Sequence, residues 1–326
     1  MLSKKNAFIT GIAGQDGSYL AEYLLTQGYE VHGTVRRNST PEHQVSRIDH
    51  LEDRIHTYYA DLTDPNSISR LVRDIQPDEF YNIAGQSHVR ISFDIPDYTL
   101  QVNAQGALNM LEIIREVSPT TRYYQASSSE MFGNFKDPDG MQRESTSMHP
   151  VSPYGCSKLY AYHATRTYRK SYGLFAANGI LFNHESPRRA SNFVTGKIVK
   201  AAVEISLGMR ETLALGNLES FRDWGHSRDY VMAMHRILQM PEPLDLVIAT
   251  GQTRSVRDFC TVTFGALGLN YLDYVTQDAR YMRPQELDYL CGDSSLARKT
   301  LGWEPETSFE KMIEEMITHW RSVLTN

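Results

Sequence analysis

Short apolar runs alternate with amphipathic segments along the first half of the chain. The runs are four to eight residues long and bounded by glycine, proline or acidic residues, as in buried strands, whereas the segments between them have helical periodicity. Such alternation predicts a doubly wound α/β fold with a mostly parallel sheet. The predicted strands are 6–10, 30–35, 55–59, 79–83, 122–127 and 175–182; the predicted helices are 18–27, 65–75, 96–117 and one that carries Tyr154 and Lys158 and ends at Tyr172.

The pattern becomes less regular after residue 182. It predicts a helix ending at Leu207, a short strand at 212–215, a helix at 229–239 and a strand at 246–249. Two stretches, 255–258 and 307–310, have the spacing of capping boxes before helices. We therefore expect two domains, 1–182 and 183–326, the second a smaller mixed α/β substrate lobe. Part of 220–250 is expected to return to the first domain.

Composition limits the classes of partner. With 326 residues, 41% hydrophobic, 22% charged and a net charge of −6, the chain has no signature of nucleic-acid or membrane binding. Three cysteines without paired spacing argue against a disulfide framework and a zinc knuckle and favour a reducing, cytoplasmic compartment. His184 has no partner at metal-ligand spacing, so we expect no metal site.

A glycine-rich turn follows the first predicted strand. Gly11, Gly14 and Gly17 stand between that strand and the first helix, where glycines let the backbone approach a pyrophosphate. Glycines also form ordinary turns, so the triad alone is weak evidence. In this strand–turn–helix context it predicts a Rossmann-like dinucleotide site that includes Ile12, Gln15 and Asp16.

Arg36 and Arg37 follow the second strand, about 20 residues beyond the last glycine. An NAD site would carry an acidic residue there for the ribose 2′-hydroxyl, whereas two arginines suit a 2′-phosphate. They therefore favour NADP, against the alternative of solvated surface charges. The small or polar residues that follow the fourth strand, which would let a flat cofactor lie against the strand ends, are Ala84, Gln86 and Ser87.

Acid–base groups follow the fifth strand and open the next helix. Tyr154 and Lys158 are four residues apart and share one helix face, where the ammonium favours the phenolate. Ser128 and Glu130, read as extended chain, point to one side of the sheet edge. Together with the dinucleotide site these groups predict a nicotinamide oxidoreductase in which Glu130 is an additional base.

Several longer motifs resemble the GDP-mannose 4,6-dehydratases, which are extended short-chain dehydrogenases/reductases. The resemblance covers nearly the whole chain and is most specific in the glycine turn and in residues 183–189. The motifs that carry it are 10–20, 125–130, 152–158, 181–189, Arg222-Asp223-Trp224-Gly225-His226 and Arg283-Pro284.

The resemblance implies a reaction with internal hydride return on bound NADP. Tyr154 would deprotonate the C4 hydroxyl, Lys158 would tune the tyrosine and hold the ribose, Glu130 would remove the C5 proton, and Ser128 would hydrogen-bond the developing carbonyl. It also implies cofactor contacts from Asp61, Leu62, Tyr98, His184 and Arg189. The residues expected at the nucleotide sugar are Ser87, Ser128, Glu130, Tyr154, Asn183, Lys197, Arg222, Arg283 and Glu286.

The chain departs from the family pattern at three places. Ser128 stands where the family usually has threonine, Gly196 where a basic residue precedes Lys197, and the loop 38–49 is altered and carries Pro41. That loop tends to reach a neighbouring subunit in the family, so we expect a homodimer or a homotetramer. The alternatives are an epimerase or 4-reductase on the same scaffold, a dehydratase of another GDP-sugar such as a mannoheptose, and a non-catalytic cofactor sensor.

Overall fold

A seven-stranded parallel sheet forms the centre of the protein. The computed structural model describes residues 4–37 and 46–325. The strands of the sheet are β1 (Asn6–Thr10), β2 (Glu30–Val35), β3 (His56–Tyr59), β4 (Glu79–Asn82), β5 (Arg122–Ser128), β6 (Ala176–Leu181) and β10 (Asp245–Ile248). Their order is β3-β2-β1-β4-β5-β6-β10, and every neighbouring pair is parallel. The order reverses between β1 and β4, where doubly wound sheets bind ligands.

Helices cover both faces of this sheet. Helices α1 (Gln15–Thr26) and α8 (Ser227–Gln239) share one hydrophobic cluster with it. Helices α2 (Pro65–Ile75), α5 (Gly106–Val117) and α6 (Pro153–Tyr172) share another on the opposite face. Sandwiched between them, β6 is buried along its whole length. The shorter helices of the chain are α3 (Val89–Ser92), α4 (Pro96–Leu100) and α10 (Ser295–Leu301).

A third hydrophobic cluster holds the smaller lobe together. It joins the helices α7 (Val194–Ser206), α9 (Val256–Gly265) and α11 (Phe309–Thr325). Beside it, β7 (Asn183–Glu185), β9 (Phe221–His226) and β11 (Thr253–Ser255) form a mixed three-stranded sheet. A separate parallel pair is β8 (Leu213–Leu215) with β12 (Val275–Gln277). The predicted doubly wound sheet with a smaller mixed lobe is confirmed.

Several local predictions need correction. Helix α1 begins at Gln15 rather than Ser18, so the glycine turn is the start of the helix. The helix predicted over 96–117 contains a π-helical turn at Gln101–Gln105. Strand β9 was not predicted, because its motif is polar. The capping box at Ser255 and Asp258 is confirmed, but the cap of α11 is Ser308, which accepts from the Lys311 amide at 3.2 Å.

The remaining predictions concern the loop before β3, membrane-spanning helices and the domain boundary. The loop expected at 38–53 contains a short 3₁₀ helix at Asp49–Arg54, and Pro41 lies outside the described residues. In the described part of the chain, no helix is long and apolar enough to cross a membrane. The division of the chain into two domains near residue 182 stays a prediction, although β10 lies in the central sheet.

Candidate active site

A large cleft lies at the carboxyl ends of the central strands. Its volume is about 1150 Å³, and residues of the smaller lobe close its far side. Ile12, Arg37, Arg222 and Glu286 are the predicted site residues that do not line it. Those that do are Gly11, Gly14, Gln15, Asp16, Gly17, Arg36, Asp61, Leu62, Ala84, Gln86, Ser87, Tyr98, Ser128, Glu130, Tyr154, Lys158, Asn183, His184, Arg189, Lys197 and Arg283.

The glycine turn is so tightly packed that larger residues would clash with neighbouring protein atoms. Gly11 has a φ of +72°, a backbone conformation that favours glycine. A Cβ at this position would also lie only 3.1 Å from Ala84. A Cβ on Gly17 would lie only 2.3 Å from the Gly11 carbonyl oxygen. Gly14 is the N-cap of α1, so free helix N–H groups face the cleft. These features fit a pyrophosphate. Ile12 is fully buried beneath the turn and packs against Gly33.

Helix α6 presents Tyr154 and Lys158 to the cleft. The Ser152 hydroxyl caps the helix by accepting from the Gly155 amide at 3.0 Å, and Pro153 occupies the first turn. The buried Lys158 ammonium donates to the Ala126 carbonyl at 2.9 Å and lies 5.8 Å from the centroid of the Tyr154 ring. The two side chains therefore share one helix face, as the sequence predicts.

Burial, rather than the lysine, dominates the titration of this pair. Desolvation raises the pKa of Tyr154 to about 12, although a hydrogen bond with Ser128 opposes the change. Desolvation also lowers the pKa of Lys158 to about 8. The phenolate that a neighbouring ammonium favours is thus opposed by burial, and the pKa of Tyr154 is raised rather than lowered. A phenolate here needs further positive charge from a bound ligand.

Ser128 and Glu130 both line the cleft, but the backbone at Glu130 is a turn rather than the extended chain that was predicted. Strand β5 ends at Ser128, and Glu130 belongs to a 3₁₀ turn, Ser129–Met131, rather than to extended chain. The Ser128 hydroxyl accepts from the Glu130 amide at 3.2 Å and fixes this turn. Glu130 is 7% exposed, and its Oε2 has no hydrogen-bond partner among the described residues. This buried oxygen is available to a substrate proton.

Arginines and a second glutamate connect Glu130 to the smaller lobe. Arg283 donates to Glu130 Oε1 at 3.2 Å, and its Nε lies 3.8 Å from Glu286 Oε1. Arg222, which is buried on β9, lies 3.5 Å from the same Glu286 oxygen. Burial and the nearby Arg283 lower the pKa of Arg222 to about 10. Arg222 and Glu286 thus lie behind Arg283 rather than on the cleft wall.

The glycine turn contacts the segment that follows β6. His184 Nε2 lies 2.8 Å from Asp16 Oδ2, and its Nδ1 lies 2.7 Å from the Phe182 carbonyl. The carbonyl and an ionised carboxylate both only accept, so this arrangement favours the doubly protonated imidazole. Gln15 donates to the His184 carbonyl at 3.1 Å and accepts from the Ser186 hydroxyl at 2.8 Å. We call these contacts of Gln15 and Asp16 with His184 and Ser186 the turn junction.

The pKa values in the turn junction follow from this pairing. Burial opposes the charged form of both groups, but the attraction and hydrogen bond between them outweigh it. The pKa of Asp16 is therefore below its ordinary value, and the pKa of His184 is above its ordinary value. The ring of His184 also stacks on Tyr230, with centroids 4.7 Å apart.

The cationic and amide groups of the smaller lobe differ in how freely they can contact a ligand. Arg189 pairs with the buried Glu185 at 2.8 Å and stacks on Phe193, while its side chain still borders the cleft. Lys197 donates to the Ala214 carbonyl at 2.7 Å. Asn183 Oδ1 is buried with no hydrogen-bond partner in the described ranges. Asn183 is therefore the best placed of these to accept a hydrogen bond from a ligand.

The groups predicted around the adenosine side of the cofactor lie at one end of the cleft. Arg36 is exposed and donates to the Tyr98 hydroxyl. Asp61 Oδ1 accepts from the Thr63 amide at 2.9 Å and so closes a turn. Arg37 is exposed beside the cleft without lining it.

Two functional candidates escaped the sequence analysis. Asn103 lies in the π-helical turn and is buried; its Oδ1 accepts from the Gln86 amide at 2.9 Å, and its Nδ2 donates to the Gln86 carbonyl and to Ser157. Arg47 donates to the Arg188 carbonyl at 3.0 Å and borders the cleft. Neither residue has a local sequence signal, since one lies in a helical pattern and the other in an aperiodic loop.

Gly196 has a steric explanation. A Cβ at this position would lie 2.6 Å from the Ala190 carbonyl oxygen. The first turn of α7 therefore packs against the 186–193 segment in a way that a basic side chain would prevent.

Comparisons with known proteins show the family of the chain. The family model described as GDP-mannose 4,6 dehydratase matches residues 8–316. The chain is 52% identical to GDP-mannose 4,6 dehydratase 2 of Arabidopsis thaliana, over 96% of this chain and 86% of that protein. It is 46% identical to GDP-mannose 4,6-dehydratase of Yersinia enterocolitica, over 96% and 93%.

A solved structure supports the fold. The dTDP-glucose 4,6-dehydratase of Bacillus anthracis, in complex with NAD, superposes with a TM-score of 0.84 at 20% identity, over 98% of this chain and 97% of that one. At that identity the likeness concerns the fold alone. The family model and the relatives extend over nearly the whole chain, and the chain belongs to the GDP-mannose 4,6-dehydratase family.

Proposed function

We propose that this member of the family converts GDP-mannose to GDP-4-keto-6-deoxymannose by oxidation at C4, elimination of water across C5 and C6, and reduction at C6. The observation that carries the proposal is the position of Glu130. Its buried, unpartnered Oε2 lies in the same cleft as Ser128, Tyr154 and Lys158. An epimerase that inverts only C4, or a 4-reductase, has no use for a base at C5, whereas elimination requires one.

Each residue has a role that its contacts support. Tyr154 takes the proton of the C4 hydroxyl, and Ser128, which hydrogen-bonds the phenol, also donates to the oxygen that becomes the C4 carbonyl. Lys158, held at the Ala126 carbonyl, supplies positive charge beside the phenol. The new carbonyl acidifies the C5 proton, which Glu130 removes and passes to the C6 hydroxyl, so that this group leaves as water. Reduction at C6 would then be accompanied by return to C5 of the proton that Tyr154 took from the C4 hydroxyl. Burial keeps solvent away from Glu130.

NADP is the proposed cofactor, and it supplies hydride acceptance from C4 and hydride return to C6. The turn at Gly11, Gly14 and Gly17 suits its pyrophosphate, because a Cβ at Gly17 would lie 2.3 Å from the Gly11 carbonyl oxygen, so glycines keep the turn tight at the start of α1, where helix N–H groups can meet the phosphates. Arg36 and Arg37 bring two positive charges to the end of β2, where a 2′-phosphate would lie. The other proposed cofactor contacts are Gln15, Asp16, Asp61, Leu62, Ala84, Gln86, Ser87, Tyr98, Lys158, His184 and Arg189, whereas Ile12 supports the turn from beneath.

The GDP moiety is proposed to lie across the smaller lobe. Asn183 and Lys197 border the cleft, and Arg283 is positioned between Glu130 and the outer wall. A diphosphate that binds Arg283 competes with Glu130 for the guanidinium. Arg222 and Glu286 act behind it, since Glu286 contacts both arginines. Ser87 completes the proposed substrate contacts.

A deuterium label distinguishes the proposed reaction from its alternatives. We would supply GDP-mannose deuterated at C4 and analyse the product by mass spectrometry and NMR. Elimination with internal return of the hydride gives a product that has lost one water and carries the deuterium at C6. An epimerase would return deuterium to C4 without loss of water, and a non-catalytic sensor would leave the sugar unchanged. Loss of water only from another GDP-sugar, such as a mannoheptose, would retain the reaction class and change the substrate.

Substitution of the proposed base isolates the elimination step. We expect Glu130→Gln to reduce the dehydration rate by about 10²–10⁴-fold, the usual contribution of a general base, while substrate still binds. Glu242→Gln, at an exposed position outside the cleft, is the control and is expected to retain full activity. Full turnover by Glu130→Gln would contradict the assignment.

Cofactor selectivity has its own test. We expect Arg36→Ser to weaken NADP binding by about 10- to 100-fold, the value of a lost charge-assisted hydrogen bond, and to leave NAD binding nearly unchanged. Arg70→Ser, on an exposed face of α2, is the matched control. Equal losses for both cofactors would mean that Arg36 does not contact the 2′-phosphate.

The remaining expectations about this protein are open to direct measurement. The homodimer or homotetramer is testable by light scattering of the purified protein at several concentrations. The cytoplasmic location and the boundary between domains near residue 182 stay predictions, to be examined by fractionation and by limited proteolysis.

A further inference from the structure

Two histidines and a glutamate meet on the outer strands of the central sheet, far from the chemistry of the cleft. Glu30 and His32 are alternate residues of β2 and therefore share one face. The register of β2 and β3 places His56 directly opposite His32. The two imidazole rings stack with centroids 4.7 Å apart. Strand pairing thus brings together three side chains that all carry metal-ligating atoms.

The distances in this group approach those of a metal centre. Glu30 Oε1 lies 3.1 Å from His56 Nε2 and 3.8 Å from His32 Nε2, and one ligand atom from each residue lies within 4.8 Å of the others. Zinc bound at about 2.0–2.1 Å by nitrogen or oxygen holds tetrahedral ligand atoms roughly 3.3 Å apart. Small rotations of the side chains therefore suffice to enclose an ion.

A fourth residue orients one of the ligands. His32 Nδ1 lies 3.1 Å from the Tyr58 hydroxyl, also on β3. A hydrogen bond at Nδ1 leaves Nε2 of that ring facing Glu30 and His56. Metal-ligating histidines almost always have such a partner on the second ring nitrogen. The contact distinguishes the group from an incidental pair of surface histidines.

Exposure of the group leaves a path for an ion and for water ligands. The side chain of His32 is 9% exposed, whereas those of Glu30 and His56 are 47% and 53% exposed. One ligand is thus fixed in the protein and two are at the surface. Three protein ligands with open positions suit a hydrated first-row ion, and imidazole with carboxylate favours zinc, nickel, copper or cobalt over magnesium or calcium.

We infer that Glu30, His32 and His56 form a binding site for one divalent first-row transition ion, with Zn²⁺ as the representative. Within the described ranges, β3 is an edge strand whose one partner is β2, and it leads to Asp61 in the cleft. An ion shared by the two strands fixes the register of β3 against β2. The site is a structural one, because Glu30 lies at the amino end of its strand and the cleft lies at the carboxyl ends. The sequence gives no warning of it, since residues 32 and 56 meet only through strand register.

Titration of the full chain with Co²⁺ tests the inference directly. The visible absorption of Co²⁺ reports nitrogen and oxygen ligation, and competition with Zn²⁺ then gives the zinc affinity. We expect one ion per chain, and a loss of affinity of at least about tenfold in His56→Gln. His50→Gln is the matched control, because His50 is an exposed histidine 2.6 Å from Glu22 and belongs to no group of three possible ligands in the described ranges.

Thermal unfolding supplies a second readout. Zn²⁺ is expected to raise the melting temperature of the unsubstituted chain and of His50→Gln, but not that of His56→Gln. Should His56→Gln fold poorly in the absence of metal, Glu30→Gln replaces it, because Glu30 is an exposed strand-end residue. Absence of binding in the unsubstituted chain, equal binding by the Glu30 or His56 variants, or loss in the His50 control would each overturn the inference. Dehydratase activity should be the same in His56→Gln as in the unsubstituted chain.

Discussion

The turn junction allows a quantitative prediction. We consider Asp16→Asn, which keeps the shape and an acceptor oxygen but removes the charge that faces His184. The side chains of His184 and Asp16 are 13% and 24% exposed, so solvent screens the pair in part. We therefore assign the pair the value of a charge-assisted hydrogen bond, about 1.5–3 kcal/mol, rather than the 3–5 kcal/mol of a fully buried pair.

This free energy converts to a shift in melting temperature. Unfolding entropy is about 2.1 cal/mol/K per residue, so a chain of 326 residues has an unfolding entropy of roughly 0.7 kcal/mol/K. A loss of about 1.5–3 kcal/mol then lowers the melting temperature by about 2–4 °C. Asp74→Asn, which removes an exposed carboxylate on α2, is expected to change it by less than about 1 °C.

The effect has a definite dependence on pH. The pKa of His184 is raised, so its contribution is fully present below the unfolded value of about 6.5 and is lost as pH rises through the folded pKa. The pKa of Asp16 is lowered, so its contribution is present above about 3.9 and is lost as pH falls through the folded pKa. The difference between the unsubstituted chain and Asp16→Asn should therefore be greatest near pH 5–6.5 and decline towards pH 9.

The assay is differential scanning fluorimetry or calorimetry of the ligand-free protein across this range. The decisive quantity is the difference in melting temperature between Asp16→Asn and the unsubstituted chain at each pH. A difference that is constant with pH, or that increases towards pH 9, would refute the assignment of a charged His184 to the turn junction. A shift in the Asp74→Asn control equal to that of Asp16→Asn would attribute the effect to net charge.

Three further substitutions test other parts of the cleft. Gly17→Ala is expected to lower the melting temperature by several degrees and to weaken cofactor binding in a calorimetric titration, because its Cβ would lie 2.3 Å from the Gly11 carbonyl oxygen. The control is Gly265→Ala, whose Cβ would meet nothing within 4 Å and which should not be destabilised. Asn103→Ala should cost about 1–3 kcal/mol in denaturant unfolding and reduce turnover, since it leaves the half-buried Gln86 backbone groups without their side-chain partner. Lys158→Met should abolish turnover. It should also gain stability over the unsubstituted chain, and this gain should be larger at pH 7 than at pH 10. Burial lowers the pKa of Lys158 to about 8, so the free-energy cost of its buried charge declines as pH rises above that value.

The sequence predicted the features that local physics determines. Apolar runs such as 6–10 and 176–181 form strands because both faces of the sheet are covered, and residues at their carboxyl ends share an edge whatever the details of packing. For that reason Ser128, Tyr154 and the glycine turn could be assigned to one cleft before any contact was known. The spacing of Tyr154 and Lys158 needed only the geometry of one helix.

The features it missed depend on contacts between distant parts of the chain. The π-helical turn at Asn103 is compatible with an ordinary helical pattern and is distinguished by the contacts of that side chain with Gln86 and Ser157. The pKa of Tyr154 depends on how much protein surrounds the phenol, and this is set by packing rather than by the neighbouring lysine. Strand β9 is polar in sequence because Arg222 and Asp223 are buried with partners from other elements.

The turn junction explains why the two most distinctive motifs of the chain occur together. Glycine turns of dinucleotide sites need small residues at Gly11, Gly14 and Gly17 but leave the intervening side chains free. Here those side chains, Gln15 and Asp16, contact the segment after β6 at three points. That segment continues through Arg188 to the Ser18 hydroxyl on α1, at 2.9 Å. The glycine turn and the first residues of the smaller lobe are therefore joined by side-chain contacts, and we expect a substitution on either side to alter both cofactor and substrate affinity.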